Sequence, residues 1–159
     1  MDKEKPRPKI YLATDHAGFP LKEEIAVFLR KKGYSVRDFG AFSPNPDDDY
    51  PDFVIPAAEA VAKSGGRAVG IVFGGSGLGE CLAANKVKGI RAVTVYDRFT
   101  AQASRKHNNA NIMSLGSRTA SGKTALAKRL VGLWLETDFS GDLRHRRRLR
   151  KIKDYEKKR

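Results

Sequence analysis

The chain has 159 residues, 40% of them hydrophobic, with 31 Lys/Arg against 18 Asp/Glu for a formal charge of +13. That length suits one domain with a single core. No apolar run reaches the length of a membrane span, the charged start MDKEKPRPK lacks the apolar segment of a signal peptide, and a lone cysteine permits no internal disulfide and fits the cytoplasm.

In chain order, residues 1–8 read as a flexible N-terminus ahead of a single domain, 9–153. KIYLATD (9–15) is apolar and β-branched and predicts a first strand. LKEEIAVFLRKKG (21–33) has the period of an amphipathic helix and is closed by Gly33. YSVRDFG (34–40) predicts a second strand. SPNPDDDYPD (43–52) predicts a loop, followed by a helix through Val61. RAVGIVF (67–73) is continuously apolar, as a strand buried on both faces is. A helix follows the glycines Gly74, Gly75, Gly77 and Gly79. IRAVTVYD (90–97), TAQASRKH (100–107), ANIMSLG (110–116) and KTALAKRLVGLWLE (123–136) continue as strand, helix, strand, helix. Five strands, each followed by a helix, predict an α/β fold with a five-stranded parallel sheet and helices on both faces. Residues 143–159 form a basic helix that frays over 154–159. They hold ten Lys/Arg against two acids, a net +8 that leaves +5 for the rest.

In open parallel sheets, ligands bind outside the carboxyl ends of the strands. Asp15 and His16 after the first strand, the glycine loop after the third, and Arg118 just past the fifth all fall there. Glycines between a strand and a helix let backbone N–H groups approach an anion, either a bound phosphate or an oxyanion formed during reaction. Glu80 then reads as a general base beside that cradle, or as a plain partner of the helix dipole. Cys81, one step into the helix, reads as a small buried hydrophobe. His107 precedes the fifth strand and so lies at the amino edge, opposite the glycine loop. A catalytic His107 would serve another subunit's site, which predicts an obligate oligomer, most simply a two-fold dimer. Arg144 and Arg148, four apart, share one helix face and can clamp a phosphate together, while Leu149 and Ile152 give that helix an apolar stripe for docking. The basic tail otherwise reads as a solvated face or a non-specific nucleic-acid contact.

Two familiar motifs do not fit. Gly75, Gly77 and Gly79 have the spacing G-x-G-x-G, not the G-x-G-x-x-G of a dinucleotide fingerprint, and they follow the third strand. SRTASGKT (117–124) ends like a P-loop but has Ser117 where a glycine is needed; Ser121 reads as the cap of the helix that begins near Lys123.

Together, DHAGFPLK (15–22), DYPD (49–52), GGSGLGECLAANK (74–86), GIRAVTVYD (89–97), RKHNNANIMSLGSR (105–118) and RHRRR (144–148) resemble the ribose-5-phosphate isomerase B family of sugar-phosphate isomerases. The resemblance implies a three-layer α/β/α Rossmann-like sandwich. It also implies a homodimer with sites at the interface, dimer against tetramer left open, and aldose–ketose isomerisation of a sugar phosphate with no metal or cofactor. Many relatives carry a cysteine base at the position of Gly74; this chain resembles the branch with glycine there and a glutamate base at the loop's end. By the same resemblance, Glu80 moves the proton between C1 and C2, and His107 opens the sugar ring. Gly75, Ser76, Gly77, Leu78 and Gly79 hold the enediolate oxygens. Asp15, His16 and Asn108 contact the substrate, and Arg118, Arg144 and Arg148 grip its phosphate. Ribose 5-phosphate and ribulose 5-phosphate are the expected pair. Allose 6-phosphate, galactose 6-phosphate and four-carbon ketose phosphates are the alternatives, with a basic nucleic-acid-binding protein or a nucleotide-binding Rossmann protein behind them.

Overall fold

All seven residues of one strand, Ala68–Gly74, are buried, and the rest of the chain is layered on it. The computed structural model describes residues 6–158. In order the elements are β1 (Lys9–Thr14), α1 (Phe19–Lys31), β2 (Val36–Asp38), α2 (Pro51–Lys63), β3 (Ala68–Gly74), α3 (Leu78–Ala84), β4 (Ala92–Thr94), α4 (Arg98–Lys106), β5 (Ile112–Gly116), α5 (Thr124–Glu136) and α6 (Leu143–Lys157). Short 3₁₀ turns sit at His16–Gly18 and Ala120–Gly122.

The five strands form one parallel sheet in the order β2-β1-β3-β5-β4. Side-chain alternation splits β1, β3 and β5 between two cores. Ile10, Leu12, Val69, Ile71, Phe73, Met113 and Leu115 pack with α1, α4 and α5, where Trp134 is fully buried. Ala13, Val72 and Ile112 pack with α2 and α3. The result is the expected three-layer sandwich. Gly70 belongs to the close-packed side: a Cβ there would press on Ile112 Cγ1 at 3.0 Å. The edge strands β2 and β4 have three residues each, shorter than the apolar runs that predict them. Short edge strands leave few unpaired backbone groups for another sheet to join.

Three local expectations change. Ser121 does not cap α5: Lys123 holds that position without a side-chain bond, and the Ser121 hydroxyl meets Thr119 Oγ1 at 2.7 Å. The basic helix α6 continues to Lys157. Its apolar stripe is only partly covered within one chain, since Leu149 is half-buried and Ile152 is exposed. Residues 1–5 of the expected N-terminal segment and residue 159 of the tail lie outside the described residues.

α1 is tied to the end of β2 by a buried cation. Lys22 Nζ is fully buried and donates to Ala41 O at 2.9 Å, pairs with Asp38 Oδ2, and meets Glu23 Oε1 at 3.1 Å. Asp38 uses its other oxygen to accept from Gly40 N at 2.8 Å. Removing one partner of a buried pair leaves a charge without compensation. Asp38→Ala should therefore cost about 3 kcal/mol in urea unfolding, whereas Glu23→Ala, at an exposed partner, should cost about 0–1 kcal/mol. Equal small losses would show that the Lys22 charge is not compensated chiefly by Asp38.

Candidate active site

The strand order turns at β1 and β3: β2 lies on one side of β1, and β5 and β4 lie beyond β3. Connections leaving two such neighbours diverge and open a crevice at their carboxyl ends. Asp15 and the glycine loop flank that crevice. Asp15 is buried, and its Oδ1 accepts from Ala17 N at 2.9 Å, which caps the 3₁₀ turn. Thr14 Oγ1 reaches Phe73 O at 3.0 Å and joins the two strand ends. A Cβ on Gly18 would overlap Thr14 and the Phe73 backbone, so this turn closes onto β3 only as glycine.

Tertiary bonds fix the glycine loop. Gly77 has φ 78°, the left-handed region that glycine adopts readily. Its carbonyl accepts from Ser114 Oγ at 2.6 Å and from Cys81 N at 3.2 Å. Ser76 Oγ accepts from Leu78 N at 3.2 Å. On the next connection, Ser117 N and Arg118 N donate to the carbonyls of Gly74 and Gly75 at 2.8 and 2.9 Å. The Arg118 guanidinium lies over Gly75: its Nη1 would be 3.2 Å from a Cβ built there. Gly79 is roofed by Tyr50, whose hydroxyl would stand 2.8 Å from a Cβ.

Glu80, in the first turn of α3, is only 3% exposed. A Cβ on Gly74 would overlap its carboxylate, so the acid occupies the volume that a side chain at position 74 would need. Burial pushes the Glu80 carboxyl above its ordinary range. Its own backbone N–H partly offsets this, and the nearby Asp15 charge adds to the rise. Cys81 is half-buried and directed to packing, its thiol 3.4 Å from Ala92 O and 3.6 Å from Asn85 Nδ2.

His16 meets a partner that sequence reasoning missed. Asp48 Oδ1 accepts from the His16 backbone N–H at 2.9 Å and lies 2.7 Å from ring Nδ1. That bond raises the His16 pKa, with Asp15 and the Asp48 charge adding to it and partial burial and Arg118 opposing it. Asp15, His16 and Asp48 are also a possible cation-ligand group, with one ligand atom each within 4.8 Å of one another. However, His16 Nδ1 and Asp48 Oδ1 are already committed to each other.

The remaining expected residues gather at the other edge of the sheet. His107 ends α4, ahead of β5. Its ring lies on that of His145, centroids 4.6 Å apart and planes at 35°. His145 is buried and bonded to Ser140 Oγ at 2.8 Å; burial lowers its pKa, as do the charges of His107, Arg144 and Arg148, against Asp142. Arg144, Arg148 and Asn108 are exposed there. The seven-residue β3 alone sets the two edges about 20 Å apart. One chain therefore brings together Asp15, His16, the glycine loop, Glu80 and Arg118, and separately His107, Asn108, Arg144 and Arg148, but does not join the two groups. His145 was visible in sequence only as the residue between Arg144 and Arg148; its burial depends on tertiary contacts.

A family profile described as Ribose/Galactose Isomerase matches residues 10–152. A protein of Mycolicibacterium paratuberculosis named ribose-5-phosphate isomerase B is 43% identical over 149 residues, covering 94% of this chain and 92% of the relative. The solved ribose-5-phosphate isomerase B of Clostridium thermocellum is 49% identical with a TM-score of 0.88, covering 94% of this chain and 98% of that one. The Mycoplasma genitalium enzyme of the same name, solved with bound ribulose-5-phosphate, is 40% identical with a TM-score of 0.90, covering 95% of this chain and 97% of that one.

The burial of Glu80 has a thermodynamic signature. A carboxyl whose folded pKa is raised holds its proton more tightly when folded. It therefore loses stability as pH rises from the unfolded value, about 4.3, through the folded one. Glu80→Gln should unfold at higher urea than the parent at pH 7.5, and the advantage should vanish near pH 4. A variant less stable at pH 7.5 would show that the carboxylate is well compensated in its pocket.

Proposed function

The chain belongs to the ribose/galactose isomerase family, and from that premise we propose that it interconverts ribose 5-phosphate and ribulose 5-phosphate through an enediolate, with Glu80 as the base. The observation that carries this reading is the Glu80 carboxylate, buried at the carboxyl edge in the volume left by Gly74. In the branch with a cysteine base at position 74, that side chain would enter the same volume. Glutamate and cysteine are thus two ways of setting a base at one point of the pocket.

In the open-chain aldose, Glu80 takes the C2 proton, and the C–H electron pair forms the C1=C2 bond of an enediolate. Negative charge collects on O1, facing the amides of Gly75–Gly79 and the Ser76 hydroxyl. Glu80, now protonated, returns the proton to C1, and a proton passes from O2 to O1 as the C2 carbonyl forms. A carboxyl with a raised pKa is well matched to holding that proton in transit. Asp15 and His16 take the substrate's hydroxyls and phosphate end, with Arg118.

His107, Asn108, Arg144 and Arg148 complete the site from a second copy of the chain, His107 opening the furanose ring and the arginines closing on the phosphate. Two features support a homodimer with shared sites: the division of these residues between opposite edges, and the exposure of Leu78, Leu82, Tyr96 and Phe99 around the carboxyl edge. Apolar groups clustered on a surface commonly mark an interface. Residues 9–153 act as one isomerase domain. Among the described residues no helix is long and apolar enough to cross a membrane, and the lone cysteine accords with the cytoplasm.

Across four-, five- and six-carbon sugar phosphates, turnover should be fastest with ribose 5-phosphate. Glu80→Gln should lower kcat by about a thousandfold while Cys81→Ser stays near the parent; the reverse pattern would assign the base to the thiol. Subunit mixing tests the shared site. Glu80→Gln and His107→Ala proteins, each impaired alone, should regain about a quarter of parental activity when their subunits are exchanged in equal amounts, because mixed dimers hold one intact site. No recovery after exchange would place both residues in one chain's site.

A further inference from the structure

Asp48 has a geometry that the reaction as described does not use. It lies in the loop between β2 and α2, held there by its backbone N–H to Asn45 O at 3.1 Å. Its Oδ1 takes both the backbone N–H of His16 and ring Nδ1. An ionised carboxylate only accepts, so Nδ1 carries the proton in this bond. Nε2 is then the nitrogen left for a ligand, on a ring whose side chain is 34% exposed. The second oxygen, Oδ2, is buried without a hydrogen-bond partner, and the Asp48 side chain is only 9% exposed. Buried polar atoms are nearly always hydrogen-bonded, so an unpaired one calls for an explanation. Two residues further on, Tyr50 roofs Gly79, so one loop sets Asp48 on His16 and Tyr50 on the glycine cradle.

We propose that Asp48 is a positioning residue. It locks the His16 imidazole with Nδ1–H turned to its own carboxylate and leaves Nε2 to face the phosphate end of the substrate. This deepens the isomerase reading and rests on it. The groups facing His16 are Asp48 and Asp15, which favour the imidazolium, and Arg118, which opposes it; the Asp48 bond is the largest influence. A ring fixed as the neutral Nδ1–H tautomer would turn an Nε2 lone pair toward the phosphate. Protonation of Nε2, which the Asp48 bond favours, turns a charged donor toward it instead. Substrate binding should therefore weaken as pH rises through the elevated His16 pKa.

Asp48→Asn tests this with little steric change, because the amide oxygen can still accept from His16 while the charge is gone. In the full-length protein, NMR titration of the imidazole nitrogens should show His16 titrating at lower pH than in the parent. KM for ribose 5-phosphate should rise about tenfold, as for a weakened hydrogen bond to a charged group, kcat should change far less, and the alkaline limb of kcat/KM should move to lower pH. Asp48→Ala, which frees the ring, should raise KM further. In a His16→Asn background, Asp48→Asn should add little, since it acts through that ring. An unchanged His16 titration, a loss in kcat with KM intact, or a full Asp48 effect without His16 would each overturn the proposal. The titration needs no substrate, so a parent protein inactive on every sugar phosphate would count against the isomerase reading and leave the Asp48–His16 coupling to be judged by NMR.

Discussion

The pocket depends on one steric fact: β3 ends in a residue with no side chain, and an acid from the following helix fills the vacated space. Everything nearby keeps Glu80 in that position. Ser114 and Cys81 hold the Gly77 carbonyl, the 117–118 backbone holds Gly74 and Gly75, and Tyr50 covers Gly79. These contacts come from β5, from the connection after β5 and from the loop before α2, so the loop's shape is set by tertiary structure and not by its glycines alone. The glycines permit the path; the neighbours select it. A carboxylate kept dry in this way is costly to ionise, which suits the proton transfer proposed for Glu80.

Much of the architecture was legible because the central strands are buried on both faces and therefore continuously apolar. Helical pattern also marked α1, α2, α4 and α5, while α3 was marked only by its place after the glycines. The apolar pattern overran the edge strands, since YSVRDFG and IRAVTVYD continue past the three regular residues of β2 and β4, although Ser35 O, Phe39 N and Val95 N still bond to the neighbouring strands there. Glu80 could be singled out because it stands at the end of a glycine run. Asp48 could not: Asp47, Asp48 and Asp49 look alike in sequence, and only the fold turns the middle one onto His16. The Ser121 cap failed because its hydroxyl found Thr119 in a 3₁₀ turn that precedes the helix.

The positive charge of the last helix also becomes clearer. Arg144 and Arg148 stand at its amino-terminal end with the His107–His145 pair, while the remaining cations continue along a helix whose Ile152 and Tyr155 stay exposed. Periodicity indicated an apolar stripe here, but the single chain covers little of it. Local pattern can show that a face wants a partner without showing which partner it is.

The overlap of position 74 with the Glu80 carboxylate also bears on descent. Position 74 and the Glu80 carboxylate compete for one volume, so under the proposed role of Glu80 a change of base involves both positions. A cysteine added at 74 would have to push the flexible Glu80 carboxylate aside. A glycine at 74 without an acid at 80 would remove the carboxylate proposed as the base. Under the proposed role of Glu80, the residue tolerated at each of the two positions therefore depends on the other, and the pair is expected to vary together.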